Sequence, residues 1–545
     1  MIDKNKLMET LLELCAVPGI SGTESENLTT AKVYEQLGSI DYFRRNSGDL
    51  KQIKLENDPC NRHFVAALLR GTTKSRKTVV LLAHTDVVDI EEYGHLKHLA
   101  FNPIEFTKRV KELKLDSEAL ADLESGEWLF GRGVNDMKLG VALNIELLRK
   151  YSMQKDFDGN ILFLGVPGEE SNSEGMLGAV KYLEKLQRED GYEFTSLLLP
   201  EPYSFKSAED QTRYMQIGAC GKIMPMFFFA GKETHAAEPY DGLDPVLLAS
   251  EVNRIISLNT EFCETSRGAV TPPPICLRQV DLKGLYSVQT PLYAASYYNV
   301  ITLKRSSAEI LDMLKEICNK AVDNVTAMIE ESCSSYEKTY GLKVYRHKLK
   351  PRVVTYSEIY ESVRNLCGAE FDTYIEGKIR EWEKRGLDNQ TKAINIVKEI
   401  YERYPDKDPM IIIAFEPPYY PGVYPDESSL NMKKLMKVID SIIEKGKSVF
   451  GETFEKEDYY MGISDLSYTG LKDDSGISLV YENMPGAGRI YELPVESLKQ
   501  LDIPGVVIGP YGKDAHKYTE RLNIPFSIGV LSDIYEYAIE SLLAE

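Results

Sequence analysis

Through about the first 210 residues, short apolar runs alternate with segments of helical period, and the runs end in or near acidic residues or histidine. Val79–Ala83, Ile161–Val166 and Ser196–Pro200 are short, apolar and bounded by polar residues, Gly or Pro, which predicts buried strands. Leu139–Tyr151 and Met176–Leu186 lie between them and predict helices. This alternation restricts the chain to an α/β fold: a mostly parallel sheet with helices on both faces. Parallel neighbours need a crossover long enough to hold a helix, and those helices cover the sheet. A further apolar run, Gly505–Gly509, predicts a strand that returns to the same sheet near the C-terminus.

The middle of the chain follows another rhythm. Lys222–Ala230, Ile275–Asp281 and Leu292–Leu303 have strand character and are interleaved with helical Pro245–Leu258 and Ser307–Ser332. That order predicts a small inserted α+β domain, with Lys343–Val354 as its candidate last strand. The expected division is 1–215, an insertion at 216–355, and 356–545. The charged, helical stretch Ala369–Arg403 reads as a solvated face, followed by an apolar run Met410–Phe415 and the loop EPPYYPGVYPDES.

Length and charge narrow the function classes. At 545 residues the chain exceeds one ordinary domain. A formal charge of −20 excludes a nucleic-acid backbone as the expected partner, because phosphates need clustered Lys and Arg. The eight cysteines form no C-x-x-C pair, so free thiols in a reducing compartment are expected. The opening stretch carries early acidic residues and lacks the basic start and apolar core of a secretion signal. No apolar run reaches 18 residues, so no membrane span is expected. A cytoplasmic location follows as an expectation.

The chemistry-bearing residues cluster at the ends of the expected strands. His84 and Asp86 end VVLLAHTD, Asp136 lies in GRGVNDMKLG before a helix, Glu169 and Glu170 end ILFLGVPGEES, and Glu201 ends SLLLPEP. His516 lies in GPYGKDAHKYTE after the run GVVIG. In an open α/β sheet, loops at the carboxyl ends of neighbouring strands converge on one crevice. Two histidines and at least three of these carboxylates gathered there suit a divalent cation of hard to borderline character.

In order, LLELCAVPGISGTE, HTD, GRGVNDMKLG, GVPGEES, LLLPEP and AHKYTE resemble the zinc-dependent peptidase family M20, which includes succinyl-diaminopimelate desuccinylase, aminoacylase, tripeptidase and glutamate carboxypeptidase. Within it the chain is most similar to arginine-utilisation proteins of bacterial arginine catabolism. The resemblance implies a zinc-exopeptidase-like catalytic domain in two parts with an inserted lid and dimerisation domain, hence a homodimer. It implies two zinc ions, for which cobalt or manganese are substitutes: His84 and Glu201 on one, Glu170 and His516 on the other, Asp136 bridging. Three carboxylates against two divalent ions leave a net charge of about plus one, which acidifies a bridging water. Glu169 is then the general base, Asp86 the residue that fixes the His84 tautomer, and His235, in GKETHAAEPYDGLDP, the oxyanion donor.

The implied activity is hydrolysis of an amide bond in a small peptide or N-acyl amino acid by a zinc-bridging hydroxide. Two alternatives stay open: a binding or regulatory protein that retains the fold, and a hydrolase of a non-peptide C–N bond. Three positions depart from the family pattern. Asn299 and Ile301 stand where a lid arginine is common, and Ser467 follows retained Asp465 where another arginine is common. Those arginines hold a substrate carboxylate in relatives, so a simple carboxylate specificity is not expected. Stretches 369–425 and about 470–500 exceed the usual family length, and His63, His95, His98 and His347 match no motif.

Overall fold

The computed structural model describes residues 1–203, 206–207, 210–345, 349, 351–424 and 426–544. The chain forms two compact units: Met1–Cys220 with Pro421–Lys472 and Pro494–Glu545, and Gly221–Tyr420 with Asp473–Leu493.

The first unit is built on an eight-stranded sheet. Its order is Leu50–Lys54, His63–Arg70, Asn160–Val166, Lys77–His84, Glu193–Leu199, Gly505–Ile508, Arg213–Gln216, Phe454–Glu457. The four consecutive strands from Asn160–Val166 to Gly505–Ile508 run parallel, so their carboxyl ends share one edge. The outer Leu50–Lys54 and His63–Arg70 strands are antiparallel additions. Asn160–Val166 is buried at every position. Because successive side chains alternate faces, burial at every position requires cover on both sides, and the expected two-faced α/β layering is what the chain adopts. Lys138–Ser152, the helix expected at Leu139–Tyr151, is buried along most of its length. Its Asn144 amide donates to the Leu82 carbonyl at 3.5 Å, fixing the helix against the Lys77–His84 strand.

Gly509 is where two strand ends must approach closely. A Cβ there would lie 1.9 Å from the Glu201 carbonyl oxygen, so any side chain would push Glu201 away. The return strand expected from GVVIG therefore fixes the position of Glu201 through its glycine.

The second unit carries a five-stranded sheet in the order Ile275–Asp281, Tyr293–Thr302, Gly221–Ala230, Met410–Tyr420, Arg352–Thr355. Here the structure differs from the sequence reading, which ends the insertion at 355. Residues 356–420 fold into this unit, because Met410–Tyr420 inserts as a strand between Gly221–Ala230 and Arg352–Thr355. The charged stretch before it is two helices, Glu370–Lys384 and Asn389–Arg403, each with a buried stripe. Phe371, Ile375, Ile379 and Trp382 on one, and Ala393, Ile396, Val397 and Ile400 on the other, share a core with Met226, Phe228, Ile412 and Ala414. Spacings of three and four residues place each set on one helical face, which the high charge of the stretch masks.

Residues 473–493 complete the same unit. The Phe415 N–H donates to the Asn483 carbonyl at 2.8 Å, and the Asn483 side-chain oxygen accepts the Ser357 N–H at 3.2 Å. All eight cysteines are free. Among the described residues, no helix is long and apolar enough to cross a membrane.

Candidate metal centre

The shared carboxyl edge of the parallel strands gathers His84, Asp86, Asp136, Glu169, Glu170, Glu201 and His516, all within the first unit. Asp136 lies between the two imidazoles. One of its carboxylate oxygens lies 3.0 Å from His84 Nε2 and the other 3.1 Å from His516 Nε2. His84 Nε2 is also 3.7 Å from Glu201 Oε1, and His516 Nε2 is 3.1 Å from Glu170 Oε2. Ligand atoms in two overlapping sets, His84 with Glu169 and Glu201 and His84 with Asp136 and Glu170, lie within 4.8 Å of one another.

These separations fit divalent cations. Tetrahedral bonds of about 2.0–2.2 Å put ligand atoms roughly 3.3–3.6 Å apart; three of the imidazole–carboxylate distances, at 3.0, 3.1 and 3.1 Å, are a few tenths of an ångström shorter and the fourth is 3.7 Å, so small side-chain shifts would admit a cation. Glu170 Oε1 is buried with no hydrogen-bond partner, which leaves an acceptor for a cation. Nitrogen and carboxylate donors together are the chemistry zinc takes.

Asp86 is buried behind this cluster and does more than the sequence reading assigns to it. His84 Nδ1 donates to the Asp86 main-chain oxygen at 3.1 Å, with Asp86 Oδ1 farther away at 3.6 Å. The tautomer is thus fixed by the backbone, leaving Nε2 toward Asp136. The Asp86 carboxylate instead accepts the N–H of Glu169 at 3.2 Å and of Glu170 at 3.1 Å. One carboxylate holds the backbone of both glutamates. The turn that presents them needs Gly168: its φ is +80°, and a Cβ would lie 2.5 Å from Glu174 Oε2 and 2.8 Å from an Arg62 nitrogen.

The crowding of acids sets the protonation pattern. Burial raises the Glu169 carboxyl well above its usual value, with Glu201 and Asp465 adding to the rise and His84 opposing it. Burial and the neighbouring Asp136 charge push Glu170 up to about 7. Hydrogen bonds to Asp136 and Glu170 push His516 up to about 11. Asp136 is held low: burial opposes ionisation, but hydrogen bonds from His516 and His84 outweigh it.

A cation bound here would displace the proton that His516 holds at neutral pH, and also the one that Glu170 carries below about pH 7. Apparent zinc affinity should therefore rise with pH, by roughly tenfold or more per unit between pH 6 and pH 8. Calorimetry in buffers of different ionisation enthalpy should show proton release, and a flat affinity across that range would contradict the assignment.

Several residues that the sequence reading gave no role join the site. The Tyr460 hydroxyl donates to the Pro202 carbonyl at 2.8 Å, and Tyr460 sits among Glu201, Asp136 and Glu169. Buried Asp465 faces the same acids and the Ser173 hydroxyl, and burial pushes its carboxyl up to about 8. Glu520 is fully buried and pairs with Arg132 at 2.7 Å. Both Glu520 and Arg132 stand inside quoted motifs, AHKYTE and GRGVND, which was the available signal. Tyr460 carried none.

His235 belongs to the second unit, exposed, with its Nδ1 accepting the Ala237 N–H at 3.1 Å. Asn299 is half-buried on Tyr293–Thr302, and Ser467 is buried in the first unit. His63 is half-buried, His95 and His98 are exposed, and His347 lies outside the described residues.

Comparison with known proteins agrees with this architecture. The sequence profile of Peptidase family M20/M25/M40 matches residues 80–502. The protein YqjN of Bacillus subtilis (strain 168) is 34% identical over 99% of this chain and 97% of its own length. Protein RocB of the same organism is 30% identical over 97% of this chain and 94% of its own. Among solved structures, the M20 family metallo-carboxypeptidase Sso-CP2 of Sulfolobus solfataricus superposes with a TM-score of 0.53 at 12% identity, covering 98% of this chain and 99% of that one. The fold is that of the M20 enzymes, and the matched residues include the strand ends that carry His84, Glu169, Glu170 and Glu201. The chain belongs to peptidase family M20/M25/M40, whose members are metal-dependent hydrolases of peptide-like amide bonds.

Proposed function

We propose that this protein hydrolyses an amide bond in a small peptide or N-acyl amino acid with the help of two zinc ions. The observation that carries the reading is Asp136, whose two oxygens each face a different imidazole at 3.0 and 3.1 Å. His84 and Glu201 would hold one ion, Glu170 and His516 the other, and Asp136 both. When bound, such a pair supplies Lewis acidity toward a water molecule and toward the amide carbonyl.

The chain's own groups supply the proton transfers. Glu169 Oε takes a proton from the attacking water and later delivers it to the leaving nitrogen. Burial and the neighbouring acids raise the basicity of the Glu169 carboxylate, so that once ionised it is a stronger acceptor for that proton than an ordinary carboxylate. Asp86 keeps Glu169 and Glu170 in register by accepting both of their N–H groups. His235 is the proposed oxyanion donor, an assignment that rests on the family resemblance of its motif.

A panel of dipeptides and N-acyl amino acids, with arginine and ornithine derivatives tested first, checks the substrate class. Release of a free amine that stops with chelator and returns with zinc is expected. Turnover of carbamoyl or amidino compounds alone would reassign the enzyme to another C–N bond. Free cysteines suit a reducing compartment, and the proposed location is the cytoplasm.

The proposed assembly is a homodimer. Ile275–Asp281 is an edge strand of the second unit's sheet, with Ile275 47% and Leu277 46% exposed. An apolar edge of this kind favours pairing with another strand. Light scattering at micromolar concentration should give twice the chain mass; a strict monomer would contradict the assembly.

A further inference from the structure

Two loops that are far apart in sequence meet at one buried ion pair. Arg132 and Glu520 are separated by 388 positions, both are about 1% exposed or less, and Arg132 Nη1 donates to Glu520 Oε2 at 2.7 Å. The other oxygen, Glu520 Oε1, accepts the N–H of Asn135 at 3.2 Å and of Asp136 at 3.3 Å. The other terminal nitrogen, Arg132 Nη2, donates to the His516 carbonyl at 2.9 Å. Each partner thus grips the segment on which the other stands. Glu520 follows His516 yet holds the backbone of Asp136; Arg132 precedes Asp136 yet holds the backbone of His516.

The loop around His516 needs such a grip. His516 has φ +70° and Asp514 φ +56°, in the left-handed region that side-chain-bearing residues adopt only when their surroundings enforce it. Asp514 is held by Arg521 Nη1 at 2.5 Å and by the Thr519 hydroxyl at 2.9 Å. The Arg132 bond to the carbonyl plays the corresponding part for His516. An amide or aliphatic pair of the same size would fill the space without matching four directed hydrogen bonds.

We infer that the Arg132–Glu520 pair is a positioning device that sets Asp136 and His516 at the separation a second metal ion requires. The inference rests on the proposed dinuclear site and adds to it the cause of that site's geometry. Neither residue touches the ion or the substrate. Groups that orient metal ligands typically change metal affinity by about 10–100-fold when removed. The loss should fall on the equivalent bound by His516 and Glu170, with the His84–Glu201 equivalent less affected.

The test is a zinc titration against a chromophoric chelator on the full chain stripped of metal. It uses wild type, Glu520→Ala and the double variant Arg132→Met/Glu520→Leu, with thermal unfolding of the metal-free proteins alongside. Glu520→Ala leaves a buried guanidinium without its partner and should unfold at a lower temperature, so a folding loss alone could mimic the effect. The double variant removes both charges and should regain most of that stability, since buried ion pairs are often replaceable by apolar groups. The expected result is that its second zinc equivalent stays about 10–100-fold weaker than in wild type, with the first within a few-fold. Two equivalents bound as tightly as in wild type would overturn the inference and leave the pair a packing element. Wild type binding no zinc would instead overturn the dinuclear reading, and the inference with it.

Discussion

Replacing Glu169 with Gln is expected to lower kcat by about 10²–10⁴-fold, the usual contribution of a positioned acid–base group. The change is nearly isosteric, and the Glu169 main chain stays anchored to Asp86 through its N–H. Metal content should therefore remain that of wild type, and KM should move little, because the lost interaction is one made in the transition state. The contrast between intact metal and lost turnover is the diagnostic. A variant that keeps more than about a tenth of wild-type kcat would remove Glu169 from the proton path. Burial and the surrounding acids hold the Glu169 proton more firmly than an ordinary carboxyl does, and the amide cannot exchange one at all.

Asp136→Asn should have the second large effect, by another route. Asp136 is the one carboxylate of the cluster whose two oxygens approach both imidazoles, and an amide presents a single acceptor oxygen. Retained zinc should fall from about two equivalents to about one or fewer. Loss of a metal ion forfeits several kcal/mol of charge stabilisation, roughly a 10³-fold drop in kcat/KM at 1.36 kcal/mol per decade. Unlike Glu169→Gln, this variant should regain part of its activity as free zinc is raised. Equal metal content in Asp136→Asn and wild type would contradict a shared bridge.

The two substitutions also separate what was legible in the sequence from what was not. The strands that carry His84, Glu169, Glu170 and Glu201 are short apolar runs, and a run ending in an acid or imidazole is visible in one dimension. Their neighbourhood is not. The order that puts Gly505–Ile508 beside Glu193–Leu199 depends on long-range pairing, and the requirement for Gly509 appears only when Glu201 is alongside it. The family resemblance ties Asp86 to His84, but its carboxylate serves the Glu169–Glu170 turn, a partner 83 positions away. Arg132 and Glu520 lay inside quoted motifs without any local sign that they meet. In the second unit, the high charge of Glu370–Arg403 hid a three- and four-residue spacing of apolar side chains, and so assigned a core element to solvent. Tyr460 enters the site through folding alone.

A two-ion centre organised by Asp136 is read out by the metal content of the purified protein. Protein purified without chelator, with Glu170→Ala and His516→Ala beside it, should be analysed by plasma mass spectrometry. About two zinc equivalents per chain are expected in wild type, falling toward one in each variant, since each lacks a donor to the same ion. Wild-type protein that holds no metal, and takes up none when zinc is added, would contradict the two-ion centre.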